Sequence, residues 1–212
     1  MRLLLSSWFL TPDSRPSALP STFRTGRAGI VLNALDEYGG SRARDYAREC
    51  RTFETFGYAC EELDFRNYFS APKELPKRLA DLDLVWVLGG NAFVLARAMT
   101  QAGLRDALQE QLHRPEFTYG GYSAGACVAG PDLQGIDLID DPTVLPDGYP
   151  PTTSPECLRL LPYRIVPHWR SNHPETEGAE RAAAHLAESG LPHRCLRDGE
   201  AVNVHNTTEP AI

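Results

Sequence analysis

No stretch of lysine and arginine forms a basic stripe in this chain, whose formal net charge is -7. A nucleic-acid partner is not expected, because phosphate binding rests on clustered cations. Long apolar runs are missing too, so neither a membrane span nor a membrane partner is expected. The segment Met1 to Leu10 is apolar in places, but it is short and lacks a convincing leader cleavage site, so it reads as a buried first strand. The five cysteines, Cys50, Cys60, Cys127, Cys157 and Cys195, are scattered and contain no C-x-x-C pair. That argues against a disulfide scaffold or a cysteine zinc site, and a cytoplasmic location is the expectation. No internal repeat and no G-x-G-x-x-G fingerprint is present, so a dinucleotide site is not expected.

What is present suits one compact domain over residues 1–212, with 42% hydrophobic residues to fill a core. Strand patterns cover Arg2–Phe9, Gly29–Ala34, Tyr58–Leu63 and Leu82–Leu88, and the last is almost wholly apolar, as a central parallel strand should be. Ser41 is placed to cap a helix running to about Thr55, with Tyr46, Cys50 and Phe53 on one face. Ala92–Ala102 and Leu104–His113 read as helices parted by Gly103. From Asp132 to Pro162 the chain is rich in proline and acid and reads as a long irregular excursion. Tyr163–Val166 suits a strand, Pro174–Ser189 an alanine-rich helix, and Asp198-Gly199 a hairpin turn before Ala201–Val204. The expected fold is α/β, a doubly wound, mostly parallel sheet with helices on both faces and a small C-terminal β-hairpin. An edge strand or that hairpin could pair two subunits as a homodimer.

The strongest chemical signal is Gly121-Tyr122-Ser123-Ala124-Gly125, directly after Phe117-Thr118-Tyr119 and before small residues. A serine between glycines at a strand-to-helix turn exposes its hydroxyl beside the free N–H groups of the helix start. A serine nucleophile needs a base. Of the six histidines, His168 follows Ile165-Val166-Pro167 at a strand end, where catalytic groups collect, and His173 is the reserve. His113 and His185 sit inside helical patterns, and His193 and His205 lie near the terminal hairpin. A metal reading that pairs His168 with His173 has no clear third ligand, so no metal is expected. Gly89-Gly90-Asn91 and the N–H of Ala124 offer backbone donors for an oxyanion, although Gly-Gly can equally serve only a tight turn. The acid that orients the histidine is open among Asp137, Asp140 and Asp141. Asp141 has an edge because Pro142 restricts the backbone before it.

Two blocks carry a resemblance: Val87-Leu88-Gly89-Gly90-Asn91-Ala92-Phe93 and Gly120-Gly121-Tyr122-Ser123-Ala124-Gly125-Ala126. With Asn33-Ala34-Leu35-Asp36, Leu63-Asp64-Phe65-Arg66, Gly130-Pro131 and Pro167-His168-Trp169, the chain resembles the peptidase E group of serine peptidases from about residue 29 to 204. The resemblance implies a class I glutamine-amidotransferase-like fold and no metal or cofactor. It implies a Ser123 nucleophile, a His168 base, oxyanion donors at Gly90 and Ala124, and a small peptide substrate, since the best-known branch cleaves dipeptides that begin with aspartate. The acid of that branch lies in an Asn-Asp-Met-Pro stretch, and Ile139-Asp140-Asp141-Pro142 takes its place here at a changed spacing. Asn91 and Arg170 are candidate substrate contacts, Arg170 as a carboxylate anchor. An amidotransferase is disfavoured because position 123 is not cysteine and Arg170 replaces the glutamate of a His-x-Glu pair. A general serine esterase, or a regulatory or binding domain that kept the fold and lost turnover, is the alternative.

Overall fold

Alternation along the inner strands decides which residues face which layer. Leu3, Leu5, Val85 and Val87 belong to one core cluster, while Leu4, Leu84 and Trp86 belong to another. Side chains of successive strand residues point to opposite faces, so a strand apolar throughout must be covered on both. The computed structural model, which describes residues 1–12, 16–17, 19–38, 42–151 and 153–204, has that arrangement.

The main sheet runs β3 (Ala59–Glu62), β2 (Arg27–Val31), β4 (Leu84–Val87), β5 (Thr118–Tyr122), β1 (Arg2–Ser6), β8 (Ala201–Val204). All pairs are parallel except β1 with β8. Helix α1 (Arg42–Thr55) covers one face, through Cys50 and Phe53. The other is covered by α2 (Leu75–Ala80), α3 (Ala92–Ala102), α4 (Leu104–Gln109) and α5 (Ala124–Cys127). The doubly wound α/β expectation is met. Ser41, the expected cap of α1, lies outside the described residues, as does His205. Helix α2 escaped the sequence reading because Pro76 interrupts its pattern. Proline is harmless in a first turn, where its missing N–H has no intrahelical partner.

The strands reach a common carboxyl edge. Register pairs Ser6 with Tyr122, Gly121 with Val87, and Val87 with Val31. The segments after β1, β4 and β5 therefore emerge side by side, where ligands of open α/β sheets bind.

A small C-terminal β-unit is built from β6 (Arg164–Val166) and β7 (His193–Cys195), joined in parallel through α6 (Thr176–Glu188). Apolar residues of α6, Ala179, Ala182, Ala183 and Leu186, pack with Val166. The Asp198-Gly199 turn forms, with Gly199 at φ 93°, but the strands on either side of it separate. β7 stays with β6, and β8 joins β1. Without β8, β1 would be an edge strand with a row of unpaired backbone groups.

Trp86 ties the two layers of chemistry together. It is fully buried, and its indole N–H donates to Glu49 Oε2 of α1 at 2.8 Å. Trp86→Ala should cost about 3–5 kcal/mol, read as a lower urea midpoint with an unchanged slope. A cost below about 1 kcal/mol would show that this face repacks freely.

Candidate active site

Ser123 follows β5 at φ 49° and ψ -114°, a strained conformation for a residue with a side chain. The strain is held in place by close packing. A methyl group at Gly125 would lie 2.4 Å from Val87 O, so only glycine lets the turn approach β4. Next to it, Gly90 has φ 132°, and a methyl group there would lie 2.4 Å from Ala34 O. That carbonyl also accepts the Asn91 N–H at 2.9 Å. The segments singled out in the sequence brace this corner. Asn33 Nδ2 donates to Asp36 and Asp64 at 2.9 and 3.0 Å, and Asn33 Oδ1 accepts from Phe65 N–H at 3.0 Å. Tyr149 Oη donates to Asp36 Oδ2 at 2.5 Å.

His168 lies two residues beyond β6 and is fully buried, at φ 58°. Its Nδ1 is 2.7 Å from Asp198 Oδ1. Ser7, just past β1, links the two: it accepts the His168 backbone N–H at 2.7 Å and donates to Asp198 Oδ1 at 2.8 Å. The Asp198 N–H donates to Ser171 Oγ at 2.8 Å. A carboxylate only accepts, so Asp198 sets the proton on Nδ1 and leaves a bare lone pair on Nε2. That Nε2 is buried and has no hydrogen-bond partner among the described residues. Burial lowers the His168 pKa from its ordinary value; Asp198 opposes the shift and His173 adds to it.

Ser123, His168, Gly89, Gly90 and Tyr122 line one cavity of about 420 Å³, along with His173 and Glu175. The His168 and His173 rings stack at 3.7 Å and 11°, with Trp8 edge-on to both. Arg44 and Arg48 also line it, but both face acids: Arg44 lies 3.7 Å from Asp45, and Arg48 lies 2.9 and 2.8 Å from Asp45 and Glu49. Arg48 Nη2 also donates to Tyr122 Oη at 2.7 Å.

The acids expected from the sequence lie elsewhere. Asp141 is exposed and accepts from Thr143 N–H and Oγ1 at 2.8 and 2.6 Å, bonds that hold its pKa below the usual value. Asp140 accepts the Ala92 N–H at the start of α3 at 2.8 Å, and burial pushes its pKa up to about 7. Asp137 is exposed in a 3₁₀ turn. The carboxylate on the His168 ring is Asp198 instead. The reason is topological: parallel pairing sets Val166 opposite Cys195, so the residues just beyond both strand ends are neighbours. Asp-Gly reads as a turn in sequence, and nothing local marks this Asp as a partner of His168. Asn91 is buried as the cap of α3, accepting from Phe93 and Val94 N–H and donating to Asp141 O. Arg170 is exposed and stacks on Trp169 at 4.4 Å, away from the cavity lining. Glu175 and Ser7 were missed as well: Glu175 lies in an unremarkable polar stretch, and Ser7 falls inside the apolar segment read as a buried first strand.

The family model of peptidase family S51 matches residues 41–211, and the chain belongs to that family. It is 36% identical over 132 residues to peptidase E of Streptomyces coelicolor, covering 60% of this chain and 51% of that one. It is 35% identical over 131 residues to a Drosophila melanogaster protein named "Probable alpha-aspartyl dipeptidase", covering 59% and 51%. The chain thus spans about half the length of these curated relatives. A crystal structure of a peptidase-E-type protein from Listeria monocytogenes EGD-e shares the fold, with a TM-score of 0.75 at 21% identity, covering 97% of this chain and 95% of that one.

Ring nitrogen NMR should show His168 titrating below the ordinary imidazole value of about 6.5. In Asp198→Asn the midpoint should fall further, because the carboxylate that favours the cation is gone. The unfolded chain then takes up this proton first, so stability should fall as pH drops below about 6.5. A midpoint above the ordinary value would overturn this electrostatic picture.

Proposed function

We propose that the protein is a serine hydrolase that cleaves small peptides with a free amino terminus through an acyl-enzyme, with Ser123, His168 and Asp198 as its triad. The observation that carries the reading is a cavity lined by both a strained Ser123 and His168, whose ring is held by Asp198. Ser123 Oγ attacks the scissile carbonyl carbon as its proton passes to His168 Nε2. The N–H groups of Gly90 and Ala124 stabilise the oxyanion. The C–N bond then breaks, and the leaving amine takes the proton from Nε2. Water, deprotonated by the same nitrogen, attacks the acyl carbon and releases Ser123. Asp198 holds the tautomer and favours the imidazolium that forms in both steps. The hydrogen bond from Ser123 to Nε2 is made when substrate enters, as is common in catalytic sites seen without ligand.

Membership in the family and the likeness to a relative named for aspartyl dipeptides support a peptide substrate. A preference for aspartate has less support. Arg44 and Arg48 of the cavity already face acids, and Arg170 lies outside its lining.

The test is hydrolysis of Asp-X dipeptides, other dipeptides, an N-terminally blocked peptide and a p-nitrophenyl ester by wild type and variants. Ser123→Ala should lose at least about 10³-fold and Asp198→Asn about 10³–10⁴-fold in kcat, while Asp141→Asn should stay within about twofold. Activity that survives Ser123→Ala would sink the mechanism. A large loss in Asp141→Asn with none in Asp198→Asn would restore the acid expected from sequence. Turnover of the ester alone would favour a general esterase, and no turnover at all a binding domain.

A further inference from the structure

Three side chains of the cavity lining stand close enough together to hold a metal ion. His168, His173 and Glu175 each offer one ligand atom, and the three atoms lie within 4.8 Å of one another. Glu175 Oε2 is 3.7 Å from His168 Nε2 and 3.9 Å from His173 Nδ1. These separations approach the spacing of ligands that share one ion at about 2.0–2.2 Å. The third ligand that the two histidines lacked in sequence is thus Glu175.

His168 supplies the observation that makes this more than a cluster. It is fully buried, and its Nε2 has no hydrogen-bond partner among the described residues. Its other nitrogen is fixed by Asp198 at 2.7 Å. A carboxylate behind the distal nitrogen is the usual support of a metal-binding histidine, because it sets the tautomer and raises ligand basicity. His173 is the less constrained ligand. Its Nδ1 accepts only a long hydrogen bond, 3.2 Å, from the Glu175 N–H. Two parallel rings do not aim their lone pairs at one point, so binding tilts His173 out of the stack; its side chain is 13% exposed, whereas that of His168 is 0% exposed.

We propose that His168, His173 and Glu175 form a reversible site for a zinc-like divalent ion, and that the bound ion switches off the hydrolase by occupying His168 Nε2. Two imidazoles and one carboxylate suit zinc and disfavour magnesium or calcium, which prefer oxygen alone. The fourth position is left to water. Binding stands on the ligand set alone; the inhibitory consequence rests on His168 being the base.

Calorimetric titration of metal-free, full-length protein with Zn²⁺ at neutral pH tests the site. One ion per chain should bind wild type and Ser123→Ala alike, so the readout does not depend on turnover. Glu175→Gln and His173→Ala should each weaken binding more than about tenfold, since losing a ligand costs at least what losing an outer partner does. His113→Ala, an exposed histidine elsewhere, should leave it unchanged. Circular dichroism checks folding, and Glu175→Gln keeps the test sharp if His173→Ala misfolds. Absence of saturable binding, or equal affinity in wild type and both ligand variants, overturns the site. Peptide hydrolysis by wild type should fall with the same Zn²⁺ midpoint and return with chelator; hydrolysis that rises with Zn²⁺ overturns the inhibitory role.

Discussion

The parallel pairing of β6 with β7 is the constraint on which the candidate site depends. It aligns Val166 with Cys195 and so brings His168 and Asp198 out at the same edge, 2.7 Å apart. The antiparallel contact of β8 with β1, Ser6 opposite Ala201, then carries that edge to the main sheet. Ser7 stitches the two units by accepting from His168 and donating to Asp198. Helix α6 pins β6 from behind through Val166, Ala182 and Leu186.

Ser123 reaches the same place by a separate route. It follows β5, whose Tyr122 pairs with Ser6 of β1 and whose Gly121 pairs with Val87 of β4, and its N–H donates to Ser6 O at 3.2 Å. Its strained backbone is tolerated because its neighbours over-determine it: Gly125 lies against Val87 O, and Tyr122 is held by Arg48 from α1. Positive φ at Ser123 and His168 concentrates strain at two points around one cavity, beside Gly90, whose positive φ a glycine adopts freely. Burial there has two consequences in one direction. It favours the neutral form of His168, and it leaves Nε2 a lone pair with no hydrogen-bond partner among the described residues, available to a serine proton in the proposed reaction or to a metal ion.

Much of this was legible in the chain. Strand and helix patterns located the elements of the doubly wound sheet other than α2, and α3 matched its expected limits, Ala92–Ala102. Ser123 was legible because glycines at 121 and 125 are needed where backbone meets backbone. His168 was legible because it follows a short apolar strand. Asp198 was not, since Asp-Gly has an adequate local explanation as a turn. Asn91 looked available for a ligand because Gly-Gly-Asn resembles a site loop, yet its side chain is occupied capping α3 and holding the Asp141 carbonyl.

The amino-acid sequence by itself determined the local elements, the serine elbow and the histidine, because period, turn chemistry and glycine requirements are properties of neighbouring residues. Tertiary structure alone decided which carboxylate meets the His168 ring and what else surrounds it. Asp198 is 30 residues further along than His168, and Ser7 is 161 residues before it. Such neighbours are chosen by strand pairing, and pairing across that distance leaves no mark in the local order of residues.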